Sequence, residues 1–248
     1  MRPPDWQLPP GTDRGLWDYI SNDRLAREYD AALAGTPLLE VDLQFAERHF
    51  STLGTLIDLG CGTGRLLMRF AARGYSCLGV DLSDGMLDVL REKAVRANLS
   101  IGRLKANLVE LEAVPTESFD YAACLFSTLG MIRGADNRQK FLNHVRRLLK
   151  PNGTFVLHAH NSRYHLGRGL GRPGPEPGDY TMPQHLGGAE LTLHHFTQSA
   201  LLADLRGSGF AIRQVQAVST SSDGRVPLPW LLGGVRAYGY LVAATPDS

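Results

Sequence analysis

The 248-residue sequence predicts an α/β fold, with a mostly parallel sheet flanked by helices. Three observations carry that reading. Between Thr55 and His160, short apolar runs alternate with amphipathic helical stretches, the order that builds parallel strands. The run Leu56-Ile57-Asp58-Leu59 passes directly into Gly60-Cys61-Gly62-Thr63-Gly64, and a helical pattern starts at Arg65. A second apolar run, Cys77-Leu78-Gly79-Val80, ends in Asp81 one helix later.

The elements follow in order. Residues 1–15 contain Pro3, Pro4, Pro9 and Pro10 and read as extended or disordered. Leu16, Tyr19 and Ile20 suit a short helix, and Leu38 to Phe50 a second. The first strand covers Thr55 to Asp58. The helix from Arg65 to Arg73 turns Leu66, Leu67, Phe70 and Ala71 inward and closes at Gly74. Ser76 to Val80 forms the second strand, and Ser83 caps a helix from Asp84 to Ala97. Ile101–Lys105 and Phe119–Leu125 are the third and fourth strands. Phe141, Leu142, Val145, Leu148 and Leu149 stripe a helix that starts at Asp136. Pro151-Asn152-Gly153 stops it as a turn, and Thr154 to His160 is the fifth strand. The segment 161–188 holds Gly167, Gly169, Gly171, Gly174, Gly178, Gly187 and Gly188 with four prolines, so it reads as a structureless insert, functional or disordered. Leu191 to Phe196 reads as a strand, and Thr197 caps a helix reaching Arg206. Phe210–Val218 and Val235–Ala243 close the chain as a hairpin.

Bulk properties narrow the function. The formal net charge is +1 with both signs interspersed, which gives no electrostatic footprint for nucleic acid or a membrane surface. Cys61, Cys77 and Cys124 form no C-x-x-C pair and read as reduced thiols of a cytoplasmic protein. No apolar stretch is long enough to cross a bilayer, and the opening Met1-Arg2-Pro3-Pro4 is not a signal peptide. The length suits a single domain with a full core, with residues 1–50 as N-terminal extension and helical cover and 51–248 as the α/β domain.

Glycines in the turn after Leu59 let a ligand approach backbone, and the helix start beyond them favours an anionic group such as a carboxylate. Two nucleotide motifs are excluded. A G-x-G-x-x-G fingerprint needs glycine where Arg65 or Leu67 stands, and a Walker A loop needs G-K-[ST] where Gly64-Arg65-Leu66 stands.

The pattern Asp58-x-Gly60-x-Gly62-x-Gly64 resembles motif I of the class I S-adenosylmethionine-dependent methyltransferases. Asp81-Leu82-Ser83-Asp84-Gly85-Met86-Leu87 is similar to that family's D-x-S-x-x-M-L continuation, and the resemblance covers about residues 50 to 160. It implies a seven-stranded, mostly parallel sheet with an antiparallel final strand, N-terminal helices over the ligand, and an insert after strand 5 at about 161–196. It also implies S-adenosyl-L-methionine as cofactor, held at Asp58, Gly60, Cys61, Gly62 and Gly64, with Asp81 accepting from both ribose hydroxyls. Leu82 and Met86 lie in the same stretch. The family often has an acidic residue near the third strand's end, for the adenine amino group. This chain has Asn107-Leu108, where the amide oxygen accepts the same bond without the charge, or serves only as a turn asparagine. Leu125 and Phe126 read as cofactor walls, and Ser127 as a partner for the acceptor or a helix cap. Tyr29-Asp30 resembles a Tyr-Asp element of the family and makes Tyr29 a candidate ligand contact. The Asn/Asp-Pro-Pro-aromatic and Pro-Cys signatures of nucleic-acid methylating relatives are missing after strand 4.

The expected function is therefore methyl transfer to an O, N or C atom of a small-molecule acceptor, with no nucleic-acid or membrane partner. A protein or RNA methyltransferase and a non-catalytic S-adenosylmethionine-binding module are the alternatives. Displacement at a sulfonium draws much of its rate from positioning, and a base helps when the acceptor carries a proton. Six of the eight histidines lie between His158 and His195. His158 and His160 share a strand face, and His160 is the candidate catalytic residue, against a reading as a polar pocket wall. Arg163, Tyr164, Arg168, Arg172 and Tyr180 are candidates for the acceptor pocket, so removal of 163–186 is expected to abolish acceptor binding and spare the cofactor. No metal site is expected, since no H-E-x-x-H spacing or cysteine ligand set occurs.

Overall fold

A computed structural model describes residues 3–165, 168, 171–185, 189–221, 223–226 and 233–247. Gly167, Gly169, Gly187 and Gly188 of the insert lie outside the described residues. Three helices lead the chain: α1 (Arg14–Ile20), α2 (Asp23–Leu33) and α3 (Pro37–His49). Strands and helices then alternate as β1 (Thr55–Leu59), α4 (Arg65–Ala71), β2 (Ser76–Asp81), α5 (Asp84–Arg96), β3 (Ile101–Lys105), β4 (Phe119–Cys124), α6 (Thr128–Met131), α7 (Ala135–Leu148) and β5 (Leu149–His160). The insert forms β6 (Arg172–Pro173), β7 (Asp179–His185) and β8 (Ala189–His194). The chain closes with α8 (Gln198–Gly207), β9 (Phe210–Val218), α9 (Gly233–Arg236) and β10 (Gly239–Pro246).

The main sheet has seven strands in the order β3-β2-β1-β4-β5-β10-β9. Strands β1 to β5 are parallel, and β10 runs antiparallel between β5 and β9, as the resemblance implies. Alternating residues of β1 feed opposite faces. Ile57 and Leu59 pack with Phe141, Phe155 and Leu201 on one side; Leu56 packs with Phe45, Phe50 and Phe70 on the other. Asp58 shares the Leu56 face, so burial of that face brings its carboxylate with it.

Three expectations are corrected. The N-terminal region carries one more helix, α2, whose cap is Asn22 accepting from Leu25 N at 3.1 Å, and residues 5–7 form a short 3-10 turn. At the end of α7 the tripeptide Pro151-Asn152-Gly153 is no free turn. Lys150, restricted to extended backbone by the following proline, already lies in β5, and the register against β4 jumps from Phe119↔Leu149 to Tyr121↔Thr154. The tripeptide is thus a bulge within a strand.

The third correction is the largest. The insert includes a three-stranded antiparallel sheet, in which the glycines mark turns: Gly171 and Gly178 sit at φ +93° and +95°. Leu191 and Leu193 of β8 pack on Leu16 and Tyr19 of α1. Backbone meets backbone there: a Cβ on Gly15 would lie 2.1 Å from Glu190 O, and one on Gly130 2.4 Å from His194 O. The insert straps α1 down onto the body of the fold.

A polar knot closes the strap. Asp13 caps α1 by accepting from Leu16 N at 2.8 Å and lies 3.5 Å from Arg133. Arg133 donates to the buried Asp179 of β7, which also meets His194 Nδ1 at 2.8 Å. Burial raises the Asp179 carboxyl, but bonds from His194 and Arg133 outweigh it and hold it below its ordinary value of 3.8. Burial and the Arg138 charge depress His194 below 6.5, against the pull of Asp179. Both groups bind protons less readily in the folded chain, so their stabilisation is lost as pH falls: His194 below about 6.5 and Asp179 below about 3.8. The thermal midpoint is expected to fall between pH 7.5 and pH 5, and less so in a His194→Gln variant. Equal slopes in both proteins would count against the knot as the acid-sensitive element.

Candidate functional site

The site lies where β1 and β2 end side by side. Parallel pairing of Leu59 with Val80 lets Gly60 N and Cys61 N donate to Val80 O, at 2.8 and 3.0 Å. Gly62 N donates to Asp81 Oδ2 at 2.8 Å, and Ser83 N to Asp81 Oδ1 at 2.9 Å. The amides of Gly60, Cys61 and Gly62 are therefore taken up by β2 and Asp81, rather than left open for an anion. Ser83 accepts from Met86 N at 3.4 Å and caps α5 as expected.

The three glycines of the turn have different reasons. A Cβ on Gly60 would stand 2.3 Å from Thr128, and one on Gly64 2.2 Å from Leu90. Gly62, at φ +51°, has open space: a Cβ would meet only the Tyr29 ring at 3.9 Å. Backbone is thus exposed to a cavity at Gly62, while Gly64 serves the packing of α4.

Two connected cavities share Tyr29, Gly60, Gly62, Thr128 and Met131. One, of about 110 Å³, is lined by Asp81, Leu82, Met86, Asn107 and Leu108 and covered by Leu16, Tyr19 and Ile20 of α1. The other, of about 250 Å³, is lined by Asp58, Cys61, Thr63, Arg65, Leu125 and Phe126, with Lys93 and Asp30 at its rim. A larger open groove between α1 and the strap lies away from both and gathers no comparable set of groups.

Eleven of the twelve residues expected around a nucleoside ligand therefore line one cavity or both; the twelfth, Gly64, does not. Asn107 is heavily engaged: its amide donates to Pro10 O and Glu110 Oε2, and Oδ1 accepts from Val109 N at 3.2 Å. That is the bonding of a turn asparagine. His160 lines neither cavity. It is 4% exposed and packs edge-on against Phe126, His158 and His195, with Tyr238 tilted at 4.6 Å. Phe126 stands between His160 and the cavity, which is how a strand-end histidine becomes a wall behind a wall. Ser127 stands at the N-cap of α6 without a side-chain capping bond and lines neither cavity; its Oγ accepts from His160 N at 3.2 Å. Phe126 and Ser127 both lie at positive φ, +54° and +65°, a strained turn at the end of β4. Of the insert residues, Tyr164 and Tyr180 join the ring cluster around Tyr238 and His195, while Arg172 pairs with Glu190 at the surface.

The N-terminal helices were expected over the ligand, and α1 lies over the smaller cavity; sequence reasoning missed Thr128, Met131 and Arg65 in the lining. Arg65 was visible only as the residue that broke a glycine fingerprint; its place right after the turn was the available signal.

Burial dominates the electrostatics. Asp58 is 4% exposed and its carboxyl is pushed up to about 7 by desolvation, against the Arg65 charge and with a small addition from Asp81. Desolvation also raises Asp81, while N–H bonds from Ser83, Gly62 and Leu82 oppose it. Burial lifts the Cys61 thiol and the Tyr29 phenol, so both stay neutral. Glu176, Asp179 and His194 converge closely enough for a metal, but Arg138 lies 3.1 Å from Glu176 and Arg133 holds Asp179, so cations already fill that cluster.

A family model described as a methyltransferase domain matches residues 56–153. An S-adenosyl-L-methionine-dependent Diels-Alderase of Talaromyces variabilis is 32% identical over 146 residues, 58% of this chain and 45% of that protein. A ubiquinone biosynthesis O-methyltransferase of Rickettsia akari is 28% identical over 110 residues, 44% and 41% of the two chains. The chain spans about half the length of the curated relatives it matches. A solved structure of an S-adenosylmethionine-dependent methyltransferase from Mesorhizobium loti is 26% identical, with a TM-score of 0.60 over 84% of this chain and 99% of that one.

Alanine at two of the glycines separates packing from ligand approach. Gly64→Ala, driven into Leu90 at positive φ, is expected to cost about 2 kcal/mol or more in urea unfolding. Gly62→Ala is expected to cost only about 1 kcal/mol, for its backbone conformation. A reversed order would sink the distinction.

Proposed function

We propose that this chain, which over residues 56–153 belongs to the class I S-adenosylmethionine-dependent methyltransferases, transfers a methyl group to an O, N or C atom of a small-molecule acceptor. The observation that carries the reading is the Asp81 carboxylate, held by two backbone N–H groups at the mouth of a cavity whose floor at Gly62 is bare backbone. A carboxylate so placed accepts from a vicinal diol, and the bare floor admits the chain that leaves the ribose.

The residues fit the cofactor part by part. Leu82, Met86 and Leu108 offer an apolar slot for the base, closed above by Leu16 and Tyr19. Arg65 brings a positive charge to the second cavity and Asp58 a carboxyl that an incoming ammonium would ionise, which suits a zwitterionic amino-acid end. The cofactor supplies a methyl group already activated on a cationic sulfur. Leu125, Phe126 and Met131 keep water from that end of the cleft, and in-line positioning of the acceptor supplies much of the rate. The near-neutral surface and the small-molecule O-methyltransferase among the relatives favour a small acceptor over a polynucleotide.

A second reading, a domain that uses bound S-adenosylmethionine without transferring its methyl, draws on the relative named as a Diels-Alderase. Release of S-adenosylhomocysteine with a panel of phenol, amine and carbon-acid acceptors separates the two. Acceptor-dependent release supports methyl transfer; tight cofactor binding with no release from any acceptor class favours the second.

Asp81→Ala removes the acceptor of two charge-assisted bonds, and calorimetry is expected to show S-adenosylhomocysteine binding weakened about 100-fold or more. Unchanged affinity would overturn the assignment of the ribose end. Asp58 gives a pH signature. Its carboxyl sits near 7 without ligand, and an incoming ammonium favours the ionised form. Binding at pH 7 should therefore release protons, visible as a dependence of calorimetric heat on buffer ionisation enthalpy, and Asp58→Asn should abolish that dependence. No buffer dependence in the parent protein would refute it.

A further inference from the structure

We propose that Arg65 is the receiver for the cofactor's methionine carboxylate, and that the buried pair Asp42–His158, which touches no ligand, positions it. This rests on the reading that the two cavities hold S-adenosylmethionine.

The argument begins with a cost. Asp42 of α3 and His158 of β5 are both fully buried, with Asp42 Oδ1 2.9 Å from His158 Nδ1. A carboxylate removed from water on a helix that otherwise buries Leu38, Leu43, Phe45 and Ala46 is destabilising unless it is compensated. His158 stands beside one oxygen, at a distance but not an angle that makes a hydrogen bond. The other, Oδ2, faces Arg65 Nη2 at 4.0 Å, too far for a hydrogen bond but close enough for attraction. The same guanidinium lies 5.8 Å from the centre of the Phe126 ring. Arg65 is thus held between a buried carboxyl group and a ring face, although neither takes up its donors.

Arg65 is left with bonding capacity at the cavity. Its side chain is 29% exposed, it lines the second cavity, and its Nε is buried with no hydrogen-bond partner among the described residues. A guanidinium carries five donors in a fork matched to a carboxylate. Asp58, the nearest lining acid, is turned toward the neutral form by burial and does not consume that capacity. A buried, unsatisfied donor is costly, and a ligand carboxylate at this position would satisfy it. The amides of Gly60, Cys61 and Gly62 cannot take that role, because β2 and Asp81 occupy them.

Geometry also explains why the pair spans α3 and β5. Those elements are far apart in sequence, and Arg65 at the start of α4 lies between them. His158 is kept in place by Gly239 of β10, where a Cβ would sit 2.8 Å from His158 Nε2. The pair acts on Arg65 only through space and charge.

The test compares two ligands that differ by one carboxylate: S-adenosylmethionine and decarboxylated S-adenosylmethionine. The parent protein should bind the first about 10-fold or more tightly than the second, as expected for one charge-assisted contact. Arg65→Gln should bring the two affinities within about twofold by weakening only the first, and Arg65→Lys should restore part of the preference. Asp42→Asn should lower the preference while leaving the affinity for the decarboxylated ligand near the parent value, an outcome that general loosening of α3 does not produce. His158→Gln serves as the second variant should Asp42→Asn unfold. Equal binding of both ligands by the parent protein overturns the proposal while leaving the assigned function standing. Equal losses for both ligands in Arg65→Gln and Asp42→Asn reduce the trio to a structural role and overturn it as well. No binding of either ligand by the parent protein defeats the cofactor assignment itself.

Discussion

The hydrogen bond from Gly62 N–H to Asp81 is the constraint on which the site depends. It joins the turn after β1 to the end of β2 at 2.8 Å, and only the parallel register of those strands brings the two together. Around it the requirements on each residue follow. Gly60 must be small because Thr128 crosses above it, and Gly64 because Leu90 packs below. Asp58 must be buried because it shares a strand face with Leu56. Gly60 N and Cys61 N are spent on Val80 O and Gly62 N on Asp81, so these three amides are not open to an anion.

The insert has a different logic. Its strands do not extend the main sheet; they cover α1, and α1 covers the smaller of the two cavities. Sequence reasoning assigned the segment 163–186 to the acceptor alone. Leu191 and Leu193, just beyond that segment, pack on Leu16 and Tyr19, and those two residues line the smaller cavity. Small apolar contacts and one polar knot hold the strap, a weaker attachment than the core clusters on either face of the main sheet.

The histidine-rich stretch shows how position along a strand and position in a site come apart. His160 lies at the end of β5 where open parallel sheets place ligands, yet the left-handed turn at Phe126 and Ser127 interposes a ring between it and the cavity. His158, two residues earlier, goes to a buried carboxylate on α3. Among the described residues no imidazole lines either of the two cavities.

Local sequence determined the elements and the place of the two cavities. Alternation of apolar runs and helical stripes placed β1 to β4, α4, α5 and α7 within a residue or two. The spacing of Asp58, the glycines and Asp81 located the cavities, because strand ends in a parallel sheet are neighbours whenever the helix between them is of ordinary length. Tertiary structure decided the rest. The strap's strands were hidden by glycines and prolines that shape turns, and their partner α1 lies more than a hundred residues away in sequence. Phe126 screens His160 through a backbone conformation that no residue pattern there announces. Asp42, Arg65 and His158 come from three elements with no shared motif, since burial and charge are properties of where side chains meet, which a local pattern does not contain.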